Sequence, residues 1–185
     1  MTLAISREAM EKEFGAGHLV TVPADRLNPA VTHAPTARFL TEVGMPDLEE
    51  FFYTIDEELA SGLESALGRQ ADLSDYTDQP VGDWVVLGSF MGDMFLLDGA
   101  TGVVWISADG EGTINLVNSG IDLFARFLAA FHRDAEALHP DFNAPDEIEE
   151  AMNNLVAEVR GFDPAAIDHE LGYWQQLSER VAWQI

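Results

Sequence analysis

Between Asp83 and Leu128 the hydrophobic pattern of the chain first alternates and then lengthens its period. Val85, Leu87, Phe95, Leu97, Val103, Trp105, Ile114 and Leu116 lie two apart within their stretches, the spacing that puts side chains on one face of a β-sheet. Three or four strands are predicted. The glycines of Met91-Gly92-Asp93, of 98–102 and of 109–112 supply the positive φ that hairpin turns require, so the predicted order is antiparallel. After Asn118, Ile121, Phe124, Phe127, Leu128 and Phe131 recur at three- and four-residue spacing, as the buried face of a covering helix does. Ser119 is expected to cap that helix, with Asp122 as a capping-box-like partner near the positive end of its dipole.

The flanks supply the remaining elements. Ser6 predicts a first helix ending at Phe14-Gly15, and His18 to Val22 a strand. Residues 23–35 read as a loop, because Asn28-Pro29 and Ala34-Pro35 bias the preceding residue away from helix. A second helix is predicted from Pro35, with Phe39, Leu40 and Val43 buried and Gly44 at its end. Residues 51–55 suggest a short strand, 56–68 a helix on the spacing of Leu59, Leu63 and Leu67, and 71–82 an exposed loop. Pro145 opens another helix with Ile148, Met152, Leu155, Val156 and Val159 as its apolar stripe. A turn or short helix starts at Asp163-Pro164, and Tyr173, Trp174, Leu177, Val181 and Trp183 predict a terminal helix docked on the core. The expected fold class is α+β: one domain over 1–185, with a central antiparallel or mixed sheet of about five or six strands covered by helices.

Charge narrows the choice of partners. The formal net charge is −24, from 33 acidic and 9 basic residues among 185. A phosphate backbone is held by Lys and Arg, so direct nucleic-acid binding is disfavoured and a basic protein partner favoured. Solubility, or a salty habitat, is the alternative account of the same charge. The chain has no cysteine, hence no disulfide, thiolate site or cysteine nucleophile. Arg7, Glu8, Glu11, Lys12 and Glu13 argue against a signal peptide, and no apolar run approaches the roughly 20 residues of a membrane span. A cytoplasmic location is expected, and no oligomeric state is specified.

Motifs for chemistry are sparse. The single lysine, Lys12, excludes a Walker loop, and Gly88 and Gly92 have the wrong spacing for a dinucleotide fingerprint and read as turn residues. The Asp98 and Asp109 turns lack the ligand series of an EF-hand. His18, His33, His132, His139 and His169 are scattered; His132 and His139, two helical turns apart, could share a helix face, but a solvated or capping role is the expected one. Acidic pairs at Glu49/Glu50, Glu57/Glu58, Asp146/Glu147 and Glu149/Glu150 read as solvated faces or as a partner-contact patch. No cofactor or metal is expected.

Two stretches carry a resemblance. THAPTARFLTEVGMP, Thr32 to Pro46, resembles the amino-terminal signature of the fourth SUKH subfamily, common in actinobacteria. Leu87-Gly88, Leu97-Asp98-Gly99, Thr101-Gly102-Val103 and Asn118-Ser119 before Phe124 resemble the strand pattern of the same family, with a weaker echo at Tyr173-Trp174. The resemblance implies an α+β immunity protein of a bacterial polymorphic toxin system. Such a protein has no established catalytic residues; the resemblance implies that it binds and blocks a cognate toxin, often a nuclease or deaminase domain. His33, Pro35, Thr36, Arg38, Gly44, Gly88, Gly102, Asn118 and Ser119 carry the motifs and are expected to serve the fold, Arg38 buried or paired against the second helix. The exposed acids of the hairpins and of the Pro145 helix are the expected toxin contacts: Asp93, Asp98, Asp109, Glu111, Asp146, Glu147, Glu149 and Glu150. A regulatory scaffold, or a carboxylate-dependent enzyme or small-ligand binder, are the alternative functions.

Overall fold

The computed structural model describes residues 3–48, 52–69, 73, 81–108, 113–168 and 172–183. Its elements run α1 (Arg7–Phe14), β1 (Leu19–Val20), α2 (Ala34–Arg38), β2 (Met45–Pro46), β3 (Thr54–Ile55), α3 (Ala66–Arg69), β4 (Trp84–Phe90), β5 (Asp93–Asp98), β6 (Val104–Ala108) and β7 (Thr113–Asn118). Four helices follow: α4 (Ile121–Arg133), α5 (Pro145–Arg160), α6 (Pro164–Ile167) and α7 (Tyr173–Trp183). Strands β3 to β7 form one antiparallel sheet in sequence order, so the expected α+β class holds, with five strands in the central sheet. The strand expected over 18–22 shrinks to β1 and pairs with β2 in a separate two-stranded ladder.

Local signals at the amino-terminal side worked largely as expected. Ser6 Oγ accepts the Ala9 N–H at 3.2 Å, and Gly15 leaves α1 at φ +88°. Pro35 lies in the first turn of α2, but the second helix does not stay α to its end: residues Phe39–Val43 widen into a π-turn. Gly44 then takes φ +91°, and a Cβ there would lie 2.5 Å from the Val20 carbonyl oxygen, so only glycine lets the β1–β2 ladder close behind the helix.

The continuous helix expected over 56–68 is not formed. A 3₁₀ turn spans Leu59–Ser61, Gly62 and Leu63 take φ +132° and +74°, and the Glu64 carbonyl accepts the Val86 N–H at 2.9 Å alongside β4. Pairing with the strand edge has outweighed the leucine spacing; Leu59 and Leu63 are buried while Leu67 is 45% exposed. In the stretch expected as an exposed loop, Leu73 and Val81 are buried; residues 71, 72 and 74–80 lie outside the described part.

The sheet is buried on both faces, which corrects the single apolar face expected from the sequence. Val85, Leu87, Phe95, Leu97, Val104, Ile106 and Val117 pack in the main core with Phe124, Phe127, Leu128 and Phe131 of α4 and Trp174 of α7. Trp84, Val86 and Leu96 face the other way, with Met94, Trp105 and Ile114 partly buried beside them, under Ala66, Leu73 and Val81. Trp105 pairs with Leu96 and Leu116, so Trp105, Ile114 and Leu116 are on this second face, not under α4. The parity changes across the turn at 98–102: Val104 and Ile106, not Val103 and Trp105, continue the α4 face, and a one-residue slip reverses every side chain. The indoles of Trp84 and Trp105 stack at 5.5 Å and 10°.

Gly88 is not a turn residue either. It lies inside β4 beside a bulge, where a Cβ would strike the Thr54 carbonyl oxygen and come 2.6 Å from the Tyr53 ring, so its bareness lets β3 approach. Tyr53 is buried beneath that contact and donates its hydroxyl to the Leu87 carbonyl at 2.7 Å. Burial, with Asp56 and Asp47 adding to it, holds that hydroxyl well above the ordinary tyrosine value of 10.0.

Candidate partner-binding surface

The motif residues assemble into two structural joints. In the first, the Thr32 and His33 N–H groups both donate to the Gly99 carbonyl at 2.9 Å, and His33 Nδ1 shares a 2.8 Å hydrogen bond with the buried Thr36 hydroxyl. Gly102, at φ +84°, has its bare Cα against that pair: an added Cβ would run into Thr36 Oγ1 and stand 2.6 Å from His33 Nδ1. The amino-terminal signature and the hairpin motif, 60 to 70 residues apart in the chain, are therefore one contact. Arg38 is paired but not buried, in an exposed 2.8 Å bridge to Glu42 that contributes at most about 1 kcal/mol.

The second joint precedes α4. Asn118 is fully buried; its Nδ2 donates to Asp163 Oδ2 at 3.2 Å, and its Oδ1 accepts the Trp174 indole N–H at 2.9 Å. Ser119 does not cap α4. Its N–H and hydroxyl both donate to Asp163, at 2.7 and 2.8 Å, while extended Gly120 occupies the cap position and Asp122 accepts the Ala4 N–H at 2.7 Å. The buried carboxylate of Asp163, at the start of α6, offered a stronger acceptor for Ser119 than the first turn of α4 offered a donor. This network locks α6 and α7 to the last strand, and every polar atom in it is engaged within the fold.

The expected contact residues divide differently. Asp98 is committed to its own turn: its carboxylate accepts Ala100 N–H at 2.9 Å, Thr101 N–H at 3.3 Å and the Thr101 hydroxyl at 2.6 Å. Asp93 is half-buried at the start of β5, and Asp109 and Glu111 lie outside the described residues. Asp146, Glu147, Glu149 and Glu150 are all exposed at the amino-terminal end of α5. Glu147 accepts the Ala144 N–H at 2.9 Å, and Asp146 and Glu147 both favour the positive end of the helix. Glu149 and Glu150 have no such structural task.

Cations and acids are sorted over the surface. Five of the nine basic residues line two grooves that meet at Ile5 and Ser6: Lys12, Arg126 and Arg133 in one, Arg7 and Arg38 in the other. Arg7, Arg38, Arg69, Arg133 and Arg160 are ion-paired, and Arg126 stacks 3.3 Å above the Phe162 ring. Arg133 is held by Asp134 at 2.7 Å and Glu158 at 2.8 Å, hydrogen bonds that raise its pKa further. Along α5, Glu158 is thus neutralised, whereas Asp146, about 18 Å away along the axis, has no ion pair among the described residues.

Sequence reasoning missed the part played by three residues of consequence: Asp163, read only as a helix start; Trp174, read as apolar and as a weak family echo; and Phe142. Phe142 is 71% exposed in the connection between α4 and α5. Its signal was present in the sequence, a lone aromatic inside the turn-forming run His139-Pro-Asp-Phe-Asn-Ala-Pro145 with no periodic partner. His139 does not share a helix face with His132, because α4 ends at Arg133. His132 pairs with Glu13 at 2.7 Å, and His139 accepts the Asp141 N–H at 3.2 Å. Among the described residues, no three His, Asp or Glu side chains converge as a metal site, and no helix is long and apolar enough to cross a membrane.

The fold and its joints define an α+β scaffold whose buried polar groups hold elements together and whose unpaired charge, among the described residues, is mainly acidic. More narrowly, the chain belongs to the SUKH-4 immunity protein family, whose model it matches over residues 5–180. No curated protein and no solved structure matches it.

Proposed function

We propose that this chain is the immunity partner of a polymorphic toxin, of the actinobacterial type within its family, acting as one domain in the cytoplasm. It works by binding alone: without catalysing a reaction, it covers the basic substrate-binding surface of a nuclease- or deaminase-type toxin domain. The family match carries the immunity reading. The basic character of the toxin rests on charge: with 33 acids to 9 bases, and five of the arginines already ion-paired, the unpaired surface charge is overwhelmingly negative. Such a surface attracts a domain built to hold a phosphate backbone and competes with that backbone for the same cations.

Co-expression tests it. A toxin domain encoded beside this chain's gene should arrest growth alone and be tolerated when the chain is present. The purified pair should associate more slowly as salt rises, because steering by opposite charge is screened over about 8 Å at physiological ionic strength. Unrelieved growth arrest would overturn the immunity reading. Rescue with salt-independent association would overturn the electrostatic part alone.

A further inference from the structure

An exposed phenylalanine is by itself ordinary on a protein surface. Phe142 differs in how it is held and in what surrounds it. Its N–H donates to the His139 carbonyl at 3.2 Å, and its ring packs on the His139 imidazole at 4.9 Å between centroids. Asn143 Nδ2 donates to the Glu136 carbonyl at 2.7 Å and to the His139 carbonyl at 3.3 Å. Leu138, buried just before this turn, fixes its base to the core. The turn's backbone is thus fixed and the ring leans on the His139 imidazole while facing solvent, so less ordering is left to lose on an encounter.

The surroundings specify the partner. From Asp134 to Val159, 26 residues carry eight acids and no lysine or arginine. Glu136, Asp141, Asp146, Glu149 and Glu150 are exposed around the turn and on the first half of α5, none of them in an Arg or Lys bridge among the described residues. Interfaces of high affinity are organised as a rigid apolar anchor inside a polar rim. Here the anchor is Phe142 and the segment that carries it holds acids and no lysine or arginine, which complements a basic surface with an apolar notch; arginines and lysines at its edge would meet both the carboxylates and the face of the ring.

The two other exposed large hydrophobic residues among those described lack this arrangement. Met91, 79% exposed at the β4–β5 turn, has a flexible thioether and only half-buried Asp93 beside it, and Leu67 is on the short α3 whose Arg69 is a cation. We propose that Phe142, displayed by the α4–α5 connection next to Asp141 and ahead of the exposed acids Glu149 and Glu150 of α5, is the anchor by which this chain docks on a basic protein. The assignment rests on the immunity reading and names the surface that carries it out.

The probe is the neighbouring toxin domain, purified as an inactive variant. It is titrated against the wild-type full chain, Phe142→Ala and Met91→Ala. Phe142→Ala should weaken binding at least about tenfold, mainly through faster dissociation, with an unchanged melting temperature, while Met91→Ala stays within about twofold. A photo-crosslinking residue at position 142 should capture the same domain through its basic face. Wild-type affinity in Phe142→Ala, or a larger loss in Met91→Ala, with no crosslink from 142, overturns this surface and leaves the immunity reading intact. A toxin domain that the wild-type chain does not bind overturns both.

Discussion

The two ends of α4 treat their polar and aromatic residues in opposite ways. At its start, the side chains of Asn118, Ser119, Asp163 and Trp174 hydrogen-bond to one another. At its end, the 134–144 connection turns Phe142 outward and leaves Glu136 and Asp141 without an Arg or Lys bridge among the described residues. The same helix therefore separates a joint that assembles the molecule from a surface available to another. The residues that mark the family belong to the first kind, and the one strong candidate for recognition has no motif at all. An immunity family needs this division, since members share a scaffold while each must suit its own toxin.

The sharpest test of that division is Asp163→Ala. It leaves the buried Asn118 amide without its acceptor and frees the Ser119 N–H and hydroxyl, which lie at the surface, and should lower stability by about 3 kcal/mol in urea denaturation. Toxin affinity of the fraction that remains folded should not change. If folded Asp163→Ala loses more affinity than Phe142→Ala, the joint is itself part of the recognition surface and the contrast fails.

Gly102→Ala asks the same question at the other joint. The new methyl group meets Thr36 and His33 and must also accept φ +84°, together about 2 kcal/mol of destabilisation, read as a lower urea midpoint at unchanged slope. On the opposite side, reversing Asp141, Glu149 and Glu150 to lysine should leave stability within about 0.5 kcal/mol, since all three are exposed and outside the first turn of α5. Association with the toxin domain at low salt should nonetheless slow about tenfold, and its salt dependence should shrink. Stability loss without a change in association rate would transfer these acids to the structural class.

Legibility in the sequence follows the same line. Turn glycines, the Ser6 cap and the stripes of α4 and α5 were readable because each is a local requirement: Gly15 and Gly44 do adopt positive φ, and Ile148, Met152, Leu155 and Val159 are buried. What escaped depended on distant partners. Ser119 has the ordinary look of a cap until Asp163, 44 residues on, takes both its donors. Trp105 and Ile114 obey a period of two, but their face is fixed by the parity of the hairpin turn and by a second layer at Ala66, Leu73 and Val81. Acidic residues were readable as a total and not as a surface, because the identity of the unpaired ones depends on where Arg7, Arg38, Arg69, Arg133 and Arg160 fold.

The smallest effect expected is at the β4–β5 turn, and it checks the choice of anchor from the other direction. Phe90 pairs directly with Asp93, so Met91 and Gly92 form a two-residue loop, with φ +52° and +98°. Both signs match a type I′ turn, whose favoured sequence is Asn-Gly, because asparagine accepts the left-handed region that methionine enters under strain. Met91→Asn should therefore raise stability by about 0.5–1 kcal/mol while removing a 79% exposed apolar side chain. A chain that melts higher and binds its toxin as before places Met91 among residues that serve neither the joint nor the partner. A chain that melts higher but binds several-fold more weakly would move the anchor from the end of α4 to this hairpin, because a methionine kept at a strained position against its own stability is then held there for contact.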